Sequence, residues 1–250
     1  MFDQASLAAF LLVLARLSGV FLIIPFFGHR SIPVLVKVSL VLVLALCFSR
    51  IIEMPPEACL IDIVFVLRIA FEMLIGLFLG YLFLAVFMAL TMAGQIIDFE
   101  MGFGLAQVFD PSIGSAHSVL SNFYSFLGLL VFIICGGHRL TMVAVAASYR
   151  AFPAGSLTVP SVLSPVVVDS LSDILLTALK VGAPVIGALF VADVVFGIVA
   201  RAVPQMNVFV IGFPLKSLLG LLAISITLPF TVTFIQDLFI GLERALFFRG

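Results

Sequence analysis

Over residues 63–97 the chain stays apolar for longer than one bilayer crossing requires, and then the pattern breaks. A helix needs about 20 apolar residues to span the hydrocarbon core. The break is GQIIDFEMGFGLAQVFDPSIG, residues 94–114. It holds three acids, Asp98, Glu100 and Asp110, and no base. Gly94, Gly102, Gly104 and Gly114 are positions where the backbone can turn sharply or meet another backbone closely. Asp110-Pro111 sets a turn, because proline pushes the residue before it out of the α region. Bulky apolar side chains lie among the glycines: Met101, Phe103, Leu105, Val108 and Phe109. Irregular backbone at membrane depth survives only when it is buried in protein or lines a cavity. The segment is therefore read as the functional centre of a chain of membrane-type helices.

The remaining runs, 7–24, 34–52, 119–135, 140–151, 171–203 and the stretch after 207, fit that environment. Hydrophobic residues make up 64% and charged residues 10% of the chain. Soluble domains sit near about 45–50% and 25%. The pattern predicts an all-α chain of membrane-associated long helical hairpins. Residues 152–169 are rich in Pro and Ser and read as a boundary. This gives a multi-helix part over 1–155, a linker over 156–170, and a helical hairpin with a C-terminal tail over 171–250. Gly212, Pro214 and Lys216 mark the entrance to the second helix of that hairpin. Gly76-x-x-x-Gly80 permits close helix packing. MFDQAS offers no basic region before the first apolar run, so that run is expected to stay attached. A net charge of -1 carries no nucleic-acid footprint.

No HExxH, Walker A or GxGxxG pattern occurs. Ser115-x-His117 could pair a nucleophile with a base, but polar residues capping the helix that begins near Val119 explain it as well. Three cysteines at unrelated spacings form no disulfide framework or metal motif. No catalytic, cofactor or metal site is expected. The charges inside or beside apolar runs are more informative: Arg16, Arg68, Glu72, Asp98, Glu100, Lys180, Asp193, Arg201 and Lys216. Each costs about 2.5–3.5 kcal/mol at a bilayer centre. They form either an ion or proton pathway, or salt bridges between helices or subunits. Similar numbers of both signs favour the second reading. Arg68 and Glu72, four apart on one helix face, are expected to be a structural pair.

Five stretches together resemble the FliR family of flagellar biosynthesis proteins and its counterparts in virulence type III secretion. They are RLSGVFLIIPFFGHRSIPVLVK at 16–37, EMLIGLFLG at 72–80, AGQIIDFEMGFG at 93–104, DPSIG at 110–114 and PQMNVFVIGFPLKSLLGL at 204–221. They occur in the family's order over nearly the whole chain. The resemblance implies a FliP-like part followed by a FliQ-like hairpin. It implies a non-enzymatic subunit of a helical export gate that helps form and close the entry pore for unfolded flagellar substrates. The partners it implies are FliP-like and FliQ-like subunits and an FlhB-like protein. The implied location is the bacterial inner membrane, in the flagellar basal body, with much of the chain on the periplasmic side. The family also carries a hydrophobic plug before its Asp-Pro motif. Aligned on Asp110-Pro111, its aromatic positions fall on Leu105 and Val108, where this sequence is aliphatic. The alternative function is a secondary transporter or ion-coupled carrier, which would predict broken helices in matching halves.

Overall fold

The computed structural model describes residues 4–28, 32–52, 54–55, 58, 62–103, 118–157, 163–205 and 208–247. Among them the chain is mostly helix, with short turns between the helices, and contains no strand. The helices are α1 (Gln4–Ile23), α2 (Pro25–Gly28), α3 (Val34–Ile51), α4 (Ile63–Met101), α5 (Val119–Ile134), α6 (Gly137–Ala151), α7 (Leu163–Ala202) and α8 (Val208–Phe247). Five are long and apolar enough to cross a membrane: α1, α3, α4, α7 and α8. A sixth crossing is possible if α5 and α6, bent by 71° at their junction, count as one. The bend falls at Gly136, whose φ of +70° suits glycine. Pro184 in α7 and Pro214 and Pro229 in α8 sit within continuous helices.

At 39 and 40 residues, α4, α7 and α8 are each about 60 Å long at 1.5 Å per residue. That is about twice the hydrocarbon thickness. The chain forms two compact units, each assembled from separated stretches. The first comprises Met1–Val86, Phe132–Ser170 and Phe239–Gly250, and the second Phe87–Val131 and Leu171–Leu238.

In the first unit α1 and α4 meet backbone to backbone. A Cβ on Gly76 would lie 2.1 Å from the Arg16 carbonyl oxygen, and one on Gly19 would lie 2.5 Å from that of Met73. Any side chain at either position would force the helices apart, so the small-xxx-small spacing of Gly76 and Gly80 works as the sequence suggests. Leu12, Val13, Leu17 and Val20 are buried along α1. Phe132 lies within 5.9 Å of Phe26, 6.2 Å of Phe83 and 5.3 Å of Phe239, ring centre to ring centre.

The second unit is built on α4's C-terminal half, α5, α7 and α8. Gly94 lies inside α4, where a Cβ would come within 2.5 Å of the Ser121 backbone on α5. Gly94 therefore gives close approach at this point, with the helix running on through it. On α7 the buried side chains follow one seam, Ile174, Ala178, Val181, Val185, Leu189 and Ala192. The rest of its circumference is mostly exposed.

Candidate functional site

The described part of the central segment starts as helix. α4 continues to Met101 and ends in a turn built by Gly102, which has a φ of +85°. The Gly102 N–H donates to the Phe99 carbonyl at 3.0 Å and the Phe103 N–H to the Asp98 carbonyl at 3.0 Å. Those two bonds and the left-handed glycine make a Schellman motif, which satisfies carbonyls the helix end would otherwise leave open. Gly102 is thus a true turn position.

Asp98, one turn earlier, is buried and is used to start the next helix. Ser118, just before α5, donates its hydroxyl to Asp98 Oδ2 and accepts from the Ser121 N–H at 3.0 Å. The Leu120 N–H also donates to the Asp98 carboxylate, at 3.2–3.3 Å. A helix N-terminus leaves its first N–H groups open and carries partial positive charge, so a carboxylate there both caps and stabilises it. Ser121 in turn donates its hydroxyl to the Thr91 carbonyl at 3.1 Å. The C-terminal end of α4 and the N-terminal end of α5 are therefore sewn together on either side of residues 104–117.

Two residues of α8 and one of α7 brace this joint. Lys216 Nζ donates to the Glu100 backbone carbonyl at 3.3 Å and pairs with Asp193 Oδ1 of α7 at 2.5 Å. Phe213 stacks edge-on against Phe103, with ring centres 5.9 Å apart. Met101 is fully buried, and its thioether lies where a Cβ on Gly220 would be, 2.7 Å away. Met101 and Phe103 are thus packed against α8 in this structure. The other proposed closing residues, Leu105, Val108 and Phe109, lie outside the described residues, as do Gly104, Asp110, Pro111 and Gly114. Ser115 and His117 lie there too. In α8, Gly212 is buried near Phe196, and Pro214 is exposed two residues before Lys216 within the same helix.

The first unit has its own polar centre. Arg16 and Glu72 are both buried and form an ion pair of 2.6 Å. Arg16 Nε donates to Glu72 Oε2, and Nη2 donates to Glu72 Oε1 and to the Phe152 carbonyl, each at 3.0 Å. Nη1 donates to Ser148 Oγ at 2.9 Å. Four of the five guanidinium N–H groups are thereby used. The guanidinium carbon lies 3.7 Å from the centre of the Tyr149 ring. Glu72 Oε1 also accepts from the Gly155 N–H at 2.8 Å. Both Glu72 oxygens thus serve Arg16, and Oε1 also holds the 152–155 turn, a partnership that the Arg68–Glu72 spacing did not suggest. Arg68 itself is half-buried, with its Cδ beside Gly155. No spacing rule brings together Arg16 and Glu72, which are 56 residues apart. The one available hint was that buried charges of opposite sign need partners. So saturated a centre is a structural lock, which the salt-bridge reading of the buried charges anticipates. Among the other charges in apolar runs, Lys180 and Arg201 are exposed on α7.

Comparison with known proteins places these features in a family. The profile described as "Bacterial export proteins, family 1" matches residues 7–242. The chain is 34% identical over 238 residues to the flagellar biosynthetic protein FliR of Bacillus subtilis, covering 92% of this chain and 90% of that protein. It is 28% identical over 241 residues to FliR of Aquifex aeolicus, covering 95% and 93%. It is also 28% identical over 227 residues to the Yop proteins translocation protein T of Yersinia pestis, covering 89% and 87%.

Proposed function

Because the chain belongs to the bacterial export proteins, family 1, we propose that it is a non-enzymatic subunit of a type III secretion export gate, of the flagellar kind. The observation that carries this is the family match across nearly the whole chain, together with FliR relatives of almost equal length. The transporter alternative loses its main support, since the buried Arg16 and Glu72 are spent on each other.

In this reading the second unit is the working part. Residues 104–117 leave α4 and enter α5 at a joint held by Asp98, Ser118 and Lys216. The side chains of Leu105 and Val108, with Phe109 beside them, close the pore, while Met101 and Phe103, packed against α8, anchor the start of the segment. A narrow apolar constriction excludes water and ions, yet yields to a passing unfolded chain because it makes no strong polar bonds with it. The partners are FliP-like and FliQ-like subunits with an FlhB-like protein. The assembly sits in the inner membrane at the flagellar basal body, with much of this chain on the periplasmic side. Purification in mild detergent tests the reading. A gate subunit comes out with FliP-like and FliQ-like proteins at fixed proportion. Recovery as a lone chain or a homo-oligomer, from cells making all the partners, would overturn it.

A further inference from the structure

We propose that Gly220 is a positioning residue: the notch left by its missing side chain seats Met101 and so fixes where α4 ends and how it turns. What that position does for the pore rests on the gate reading above, whereas the seat itself does not. Phe213, Lys216 and Gly220 are spaced by three and four along α8, which puts them on one helix face. They meet Phe103, Glu100 and Met101, the residues on either side of the Gly102 turn. Each contact is of a different kind. The Phe213 ring lies edge-on to Phe103. Lys216 donates to the Glu100 carbonyl, one of the last four of α4, which no N–H of the helix can reach. The turn already takes the Asp98 and Phe99 carbonyls, so the lysine takes a third, at the end where the helix dipole favours a cation. Gly220 contributes empty space. A Cβ there would lie 2.7 Å from Met101 Sδ and Cε and 2.9 Å from its Cγ. Even a methyl group would therefore have to push the methionine back.

The seat accounts for both residues. Glycine inside a helix is disfavoured relative to alanine, so its place within α8 calls for a contact that only glycine permits. The other glycines of α8 make no such contact. A Cβ on Gly212 would first meet Phe196 at 3.9 Å, and one on Gly241 would meet nothing within 4 Å. Met101 stands in the last turn of α4, where a side chain can face outward, as Phe99 does with 74% of its surface exposed. Met101 is instead completely buried. An unbranched thioether chain fills an irregular gap well, and wedged on one face it opposes rotation of the helix end. Phe213 and Lys216 are both partly exposed, so the seated methionine is the firmest of the three holds.

The test follows hydrogen exchange at the Gly102 and Phe103 amides, whose bonds to Phe99 and Asp98 form the turn, in the complex in which the chain purifies. Gly220→Leu fills the seat from the α8 side and should speed exchange at both amides by about tenfold or more. Met101→Ala together with Gly220→Leu reverses knob and hole and should bring exchange back close to the natural value. Gly220→Ala should melt no earlier than the natural complex, because alanine suits a helix better, yet exchange at the turn should still be faster. Gly241→Ala brings the same helix gain without a contact and should leave exchange unchanged. Ion leak from proteoliposomes is the arm that bears on the pore: it should rise in Gly220→Leu and fall again in the double variant. Faster exchange without leak would uphold the seat and count against the gate reading instead. Natural exchange in an assembled Gly220→Leu complex, or a double variant no better than the single one, would overturn the proposal. If Gly220→Leu does not assemble, Gly220→Ala decides, and unchanged exchange at the turn overturns it as well.

Discussion

The two compact units treat their ion pairs in opposite ways. In the first, Arg16 and Glu72 are fully withdrawn from solvent and spend nearly all their hydrogen-bonding capacity on each other, Ser148, Phe152 and Gly155. In the second, Lys216 and Asp193 keep 20% and 41% of their side-chain surface exposed, and the lysine holds a single backbone carbonyl of α4. A saturated buried pair has one arrangement, and any loss leaves an uncompensated charge in a low dielectric. A half-exposed pair has water as an alternative partner, so its loss costs little stability. The difference teaches that the first unit's ion pair fixes how its helices pack, whereas that of the second adjusts how one helix end is held. The adjustable end is the one from which the central segment departs.

Breaking the buried pair gives the largest expected effect. Arg16→Met strands Glu72, and loss of one partner in a buried pair costs about 3–5 kcal/mol. The purified complex should lose most of its yield and melt much earlier. Arg16→Met with Glu72→Met should recover part of that loss, since neither charge is then left alone. If the double variant is no better than the single one, the lock is not an ion pair in the sense argued here.

The Asp98 clasp comes next. Asp98→Ala removes the acceptor for the Ser118 hydroxyl and the Leu120 N–H, and loss of a helix cap costs about 0.5–2 kcal/mol. Asp98→Asn keeps an acceptor and should lie much closer to the natural protein in thermal melting. Equal behaviour of the alanine and asparagine variants would remove the clasp from the account.

The smallest effect on stability is expected at Lys216. An exposed pair contributes about 0–1 kcal/mol, so Lys216→Met should melt almost normally. Its effect should appear instead in export of flagellar subunits, because the end of α4 loses its brace while the fold stands. A variant that melts early but exports normally would reverse the comparison between the units.

The long apolar runs made the helices legible, because membrane-spanning length and proline or glycine punctuation are local signals. Gly76 and Gly80 were legible as a packing face for the same reason. The turn at Gly102 followed from glycine's tolerance of positive φ. Arg16 as the partner of Glu72 was not legible, because the two meet only after α1 and α4 have docked. Asp193 with Lys216 was hidden similarly, as the turn between α7 and α8 decides which of their residues face each other. The role of Asp98 as a cap for α5 combined a local signal, serine before a helix, with a carboxylate supplied from across a loop. The division into two compact units was not legible either, since α4, α5, α7 and α8 each contribute residues to both.

The proposed closing of the pore by the central segment is measured directly by ion leak. Leu105→Gly with Val108→Gly should leave assembly with FliP-like and FliQ-like partners intact, because the joint at Asp98, Ser118 and Lys216 is untouched. Cells or proteoliposomes carrying this variant should then leak ions and small solutes that the natural complex holds back. A normally assembled complex that stays tight would contradict the claim.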